Sequence, residues 1–136
     1  MILEHVAIWT NELERLRAYY IKYFKGVSNA KYINEKKGFE SYFISFGSGA
    51  RLELMSKPTI PANLNDPQAQ YTGISHLAFG VETMDEVNLK CEELKADGFK
   101  ILSGPRKTGD GYYEFETLDP DNNRLEVTTL YREHKT

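Results

Sequence analysis

The sequence predicts an α+β fold made of two βαβββ modules, forming a curved, barrel-like mixed sheet with helices on the outside. Two amphipathic helical segments each follow one strand-like run and precede three more. The tetrapeptide His5-Val6-Ala7-Ile8 returns as His76-Leu77-Ala78-Phe79, 71 residues later, and Arg51-Leu52-Glu53-Leu54 returns as Arg124-Leu125-Glu126-Val127, 73 residues later. Two matches in the same order at nearly the same separation mark an internal duplication, because self-similarity at a fixed period is a strong fold signal.

The first module spans about residues 2–56. Residues 2–9 read as a strand. Asn11 and Glu14 have capping-box spacing, and Leu13, Leu16, Tyr20 and Tyr23 follow at helical intervals up to Gly26 as a stop. Strand-like runs come next at 31–34, 41–46 and 50–55, the last two separated by the turn signal Gly47-Ser48-Gly49. Residues 57–72 carry three prolines and no period, and read as a linker. The second module, about 73–130, restarts the order. Residues 74–81 form a strand, Thr83 and Glu86 a second capping box, and Val87, Cys91 and Leu94 a helical stripe that ends at Gly98. Strands follow at 99–102, 112–118 and 124–129, with a glycine-rich connection at 103–111 and a turn at Asp119-Pro120-Asp121-Asn122.

Composition sets the class. The chain has 136 residues, of which 40% are hydrophobic and 27% charged, the arithmetic of a single globular domain. Seventeen basic against 20 acidic residues give a net charge of −3 and no basic stripe to neutralise phosphates, so no nucleic-acid partner is expected. A lone cysteine, Cys91, excludes an intrachain disulfide and is expected to pack as a small apolar residue. The apolar runs fall far short of the roughly 20 residues that span a bilayer, and the N-terminus lacks a signal-peptide pattern. The expectation is a soluble, cytoplasmic protein with no membrane partner.

Strand alternation then sorts the faces. His5, Ala7 and Trp9 share one face of the first strand, and Arg51, Glu53 and Met55 share one face of the run at 50–55. His76 with Ala78, and Arg124 with Glu126, repeat the arrangement. The opposite faces are aliphatic and belong under a helix. Each module therefore offers one His and one Glu on its helix-free face. Two imidazoles and two carboxylates suit a divalent ion of six-coordinate N/O preference if the two faces converge. Nickel or zinc is the leading expectation, with cobalt, manganese or iron as alternatives. The third histidine, His134, lies in a polar tail without a partner pattern and is expected to be solvated.

These segments carry a resemblance. Leu3-Glu4-His5-Val6-Ala7, Gly73-Ile74-Ser75-His76-Leu77-Ala78-Phe79 and Asp119-Pro120-Asp121-Asn122-Asn123-Arg124-Leu125-Glu126 resemble the vicinal oxygen chelate superfamily, which includes glyoxalase I, bleomycin-resistance proteins and extradiol dioxygenases. The resemblance runs from about Ile2 to Leu130. Asn122 stands where the family usually has Gly, a mild departure because Asn tolerates left-handed backbone.

By this resemblance His5, Glu53, His76 and Glu126 match the His-Glu-His-Glu ligand set of glyoxalase I. Glu53 separates that reading from two other branches of the superfamily: the dioxygenases and fosfomycin-resistance thiol transferases, which typically use two His and one Glu, and methylmalonyl-CoA epimerase, which typically has Gln there. The implied activity is that of a divalent-metal-dependent lyase or isomerase of lactoylglutathione lyase type. It would act on a hydroxycarbonyl or thiohemiacetal through an enediolate, with Glu126 as first candidate base and Glu53 as the alternative. Other readings are a further metalloenzyme of the superfamily or a binding protein without turnover. Trp9 and Lys57 stand where glutathione-using members have Arg and Asn, which leaves the thiol open. Trp9, Lys57, Arg106, Lys107 and Tyr113 are the candidate substrate-binding residues. A homodimer is expected, since two-fold dimers are the commonest oligomers.

Overall fold

The structure is a computed structural model, and residues 1–133 are described; His134 lies outside them. The chain divides into two compact units, residues 1–64 and residues from 65 onward.

In the first unit β1 (His5–Trp9) leads into α1 (Leu13–Phe24), then β2 (Val27–Ser28), β3 (Tyr32–Asn34), β4 (Phe39–Ser45) and β5 (Arg51–Ser56). The sheet order is β1-β5-β4-β2, with β3 also on β4. The β1–β5 pair is parallel and β4–β5 antiparallel. In succession along the outer side of β4, β2 and β3 make one interrupted edge strand. The helix lays Leu13, Leu16, Tyr20 and Tyr23 on Tyr42, Ile44, Leu52 and Leu54, all buried. Each fully buried Leu or Ile side chain contributes about 1.5–3 kcal/mol of transfer free energy.

In the second unit β6 (Leu77–Gly80), α2 (Met84–Ala96), β7 (Ile101–Lys107), β8 (Tyr112–Leu118) and β9 (Arg124–Leu130) follow the same plan. The order is β6-β9-β8-β7, with β6–β9 parallel and the other pairs antiparallel. Val87, Cys91 and Leu94 of α2 pack on Phe115, Leu125 and Val127. The duplication extends to the register. Ala7 lies opposite Glu53 and Ala78 opposite Glu126, so the residue two places after each histidine faces the glutamate of its unit.

The α+β architecture with repeated units stands, but among the described residues the nine strands form two open sheets and neither closes into a barrel. Four local expectations change. The first and sixth strands start at His5 and Leu77, leaving Ile2, Leu3 and Ile74 exposed. The α1 N-cap is Glu12 and makes no side-chain cap bond; the Thr10 hydroxyl accepts from the Glu12 amide instead, at 2.9 Å. The left-handed residue after α1 is Lys25, φ 56°, while a Cβ on Gly26 would collide with Ile44. The connection expected at 103–111 is strand as far as Lys107. Its ladder slips at two places, and Gly104 sits at φ 83°, where a Cβ would lie 2.6 Å from the Glu114 carbonyl oxygen. The second capping box forms as read: the Thr83 hydroxyl accepts from the Glu86 amide and the Glu86 carboxylate accepts from the Thr83 amide.

Candidate metal-binding site

Each unit sets its histidine at the start of one strand, or one residue before it, and its glutamate on the neighbouring parallel strand. In the first unit Nε2 of His5 lies 3.7 Å from Oε1 of Glu53, and the Glu53 side chain is 17% exposed. His5 also meets Phe43 edge to face at 5.4 Å, with Arg51 stacked on the same Phe43 ring at 4.1 Å. Its other nitrogen, Nδ1, is 3.4 Å from Oε1 of Glu4, which Arg51 holds by an ion pair.

In the second unit Nε2 of His76 lies 3.1 Å from Oε2 of Glu126, whose side chain is 15% exposed. Nδ1 of His76 is 3.0 Å from the Ser75 hydroxyl. Although His76 precedes β6 by one residue, it holds the place that His5 holds at the start of β1. Glu126 has acidic neighbours. Glu116 stands opposite it on β8, and Glu114, two residues away, shares that face. Burial, followed by hydrogen bonding to and repulsion from Glu114 and then Glu116, pushes its carboxyl up to about 8. Arg124 binds Glu116 at 3.1 Å. A carboxylate so placed takes up a proton or a cation, and the N/O donor set fits a hard to borderline divalent ion. Among the described residues no group of three or more His, Cys, Asp or Glu side chains is gathered in metal-holding geometry, so each unit presents a pair.

The other candidates separate by face. Trp9 shares the His5 face, is 43% exposed and meets Phe39 edge to face at 6.1 Å. Arg106 is exposed on β7 in register with Glu114, on the Glu126 face. Lys57 follows the end of β5 and is half-buried. Tyr113 lies on the opposite face of its sheet from Glu126, and its hydroxyl donates to Oδ1 of Asn88 on α2 at 2.7 Å. Lys107 pairs with Tyr113 and sets its ammonium over the Tyr131 ring at 4.3 Å. Sequence reasoning missed Glu4, Ser75, Glu114 and Glu116. The first two directly precede the repeated histidines, and the last two share a face by strand alternation, so both signals were present in the letters.

Comparison with known proteins bears on this arrangement. The Bacillus subtilis (strain 168) uncharacterized protein YqjT is 24% identical over 128 residues, 92% of this chain and 96% of that one. A glyoxylase/bleomycin resistance protein/dioxygenase domain from Frankia sp. EAN1pec superposes with a TM-score of 0.77 at 18% identity, covering 93% of this chain and 95% of that one. The trypanothione-dependent glyoxalase I of Leishmania major superposes with a TM-score of 0.75 at 19% identity, covering 93% and 85%. These likenesses show a shared fold. The profile of one superfamily matches residues 2–127, nearly the whole chain. With its twice-used strand–helix–strand plan, the chain belongs to the Glyoxalase/Bleomycin resistance protein/Dioxygenase superfamily.

Proposed function

We propose that the protein is a divalent-metal-dependent lyase or isomerase of glyoxalase I type, acting on a small hydroxycarbonyl or a thiohemiacetal adduct. The observation that carries this reading is the repeated pair: one imidazole Nε2 and one largely buried carboxylate, in equivalent register, in each unit. His5, Glu53, His76 and Glu126 would be the ligands, and nickel or zinc fits their donor types best. When bound, such an ion supplies Lewis-acid stabilisation of negative charge developing on the substrate's oxygens.

The chain's own groups do the rest. Glu126 takes a proton from one substrate carbon and returns it to the next, with Glu53 as the alternative base. Arg106, exposed on the Glu126 face, is placed to meet an anionic part of the substrate, and Trp9 offers an apolar surface beside His5. The proposed enzyme is a cytoplasmic homodimer, with its lone Cys91 kept as a thiol. No helix among the described residues is long and apolar enough to cross a membrane.

The test begins with metal analysis of the purified protein. It is then stripped with chelator and assayed with methylglyoxal and several thiols after nickel or zinc is restored. The expected result is metal-dependent isomerisation that falls at least 100-fold in Glu126→Gln, the scale of a lost general base. Full activity in that variant would remove Glu126 as the base. A chain that binds no divalent ion would leave a small-molecule binding protein as the surviving reading.

A further inference from the structure

The two imidazoles are each held from behind. Glu4 ends the segment leading into β1, and its backbone carbonyl accepts from the Arg51 amide at 2.9 Å. Its carboxylate is gripped by the Arg51 guanidinium, with Nε at 2.9 Å from Oε2 and Nη2 on Oε1. The same Oε1 faces Nδ1 of His5. A carboxylate that pairs with Arg51 is an acceptor only, so the ring nitrogen facing it is the one that carries hydrogen. The lone pair of the neutral ring then lies on Nε2, the atom facing Glu53.

The second histidine reaches the same state by another route. The Ser75 hydroxyl donates its single hydrogen to Oε1 of Gln70 at 3.1 Å, which leaves its lone pairs to accept from Nδ1 of His76. Nε2 of His76 is again the bare nitrogen, facing Glu126. A lone pair aimed at a carboxylate is repulsive unless a proton or a cation lies between them. Both units are therefore set to receive a positive charge at the same atom.

We propose that Glu4 is a positioning residue for His5, fixing its Nδ1–H form and aiming Nε2 at the ion, and that Ser75, backed by Gln70, does the same for His76. This rests on the metal-site reading above. The two relays differ in kind: a charged carboxylate stands behind His5, while a neutral hydroxyl stands behind His76. Loss of an outer partner of a ligating histidine typically weakens metal binding about 10–100-fold.

The experiment uses the full chain as wild type, Glu4→Gln, Glu4→Ala and Ser75→Ala. Affinity for nickel and zinc is measured by calorimetry, and the imidazole ¹⁵N shifts of the metal-stripped protein are read by NMR. The expected metal-free wild-type spectrum shows both His5 and His76 in the Nδ1–H form. Glu4→Ala should shift His5 alone toward a tautomer mixture and weaken metal binding about 10–100-fold. Glu4→Gln should fall between Glu4→Ala and wild type. Ser75→Ala should disturb His76 alone. Wild-type affinity in Glu4→Ala, with an unchanged His5 tautomer, would overturn the positioning role while leaving the metal site standing. A wild type that binds neither ion would remove the metal site, and the metal-free spectra would still decide whether Glu4 and Ser75 set the tautomers. His5 or His76 found as Nε2–H in the wild type would overturn the inference directly.

Discussion

At the scale of single residues, Glu126 shows how neighbours decide what a carboxylate does. The strand face was legible, because Leu125 and Val127 alternate with it and are buried. Its charge state was not legible, since that depends on Glu114 and Glu116 arriving from β8, a register that alternation within β9 cannot give. Burial and those two carboxylates lift Glu126 from the ordinary glutamate value of 4.5 to about 8. A group whose folded-state value is raised contributes stability that is fully present below its unfolded value and is lost as pH rises through the folded one. The chelator-treated protein is therefore expected to lose melting temperature between about pH 4.5 and 8 from this group. Glu126→Gln should flatten that decline. A scanning-fluorimetry series across pH 4–9 checks both, and an equal decline in wild type and variant would show that other groups govern it. The Asp119 turn is a residue-scale success. The buried Asp119 carboxylate accepts from the amides of Asp121 and Asn123, and Asn122 takes the left-handed conformation, φ 66°, that allowed Asn in place of Gly.

At the scale of elements, what the sequence showed and what it hid follow from the same physics. Helical stripes and buried strand faces were readable because apolar spacing must match 3.6 or 2 residues. Caps were half readable. Thr83 and Glu86 bond reciprocally as their spacing implies, but at α1 the hydroxyl of Thr10 takes the place expected of Asn11. The competing acceptor lay one residue earlier, and Thr10 is buried at 6% exposure whereas Asn11 is exposed. The β7 strand was hidden by Gly104-Pro105, letters that normally end a strand. Proline survives there because β7 is the edge of its sheet, where a missing amide costs no ladder bond. The caps yield a paired expectation. Thr83→Ala and Thr10→Ala should each cost about 1 kcal/mol, whereas Asn11→Ala should cost a few tenths at most. Urea unfolding midpoints at constant slope measure all three, and an Asn11→Ala loss as large as that of Thr10→Ala would show the Thr10 bond to be incidental.

At the scale of the whole molecule, duplication divides the core as well as the proposed ligands. Each unit buries its own helix on its own sheet, and each carries one histidine and one glutamate. The free thiol offers a way to watch one unit from inside. Cys91 is 6% exposed on the sheet-facing side of α2, and burial pushes its thiol up from the ordinary cysteine value, with Lys95 opposing and Glu92 adding to the rise. A buried thiol with little thiolate reacts with a disulfide reagent only when the second unit opens. A ligand that binds the folded form alone suppresses opening by the factor 1 + [L]/Kd, about 100-fold at 100 times Kd. Nickel or zinc at that excess is therefore expected to slow Cys91 labelling by about 100-fold in the wild type. His76→Ala should abolish most of this protection, because its ligand sits on the unit that must open. His5→Ala tests the larger claim, since His5 belongs to the other unit. If the proposed ligand set draws on both halves of the chain, His5→Ala must also reduce the protection at a fixed metal concentration. Undiminished protection in His5→Ala would mean that the ion is held by the second unit alone, and the four-residue ligand set would have to be given up.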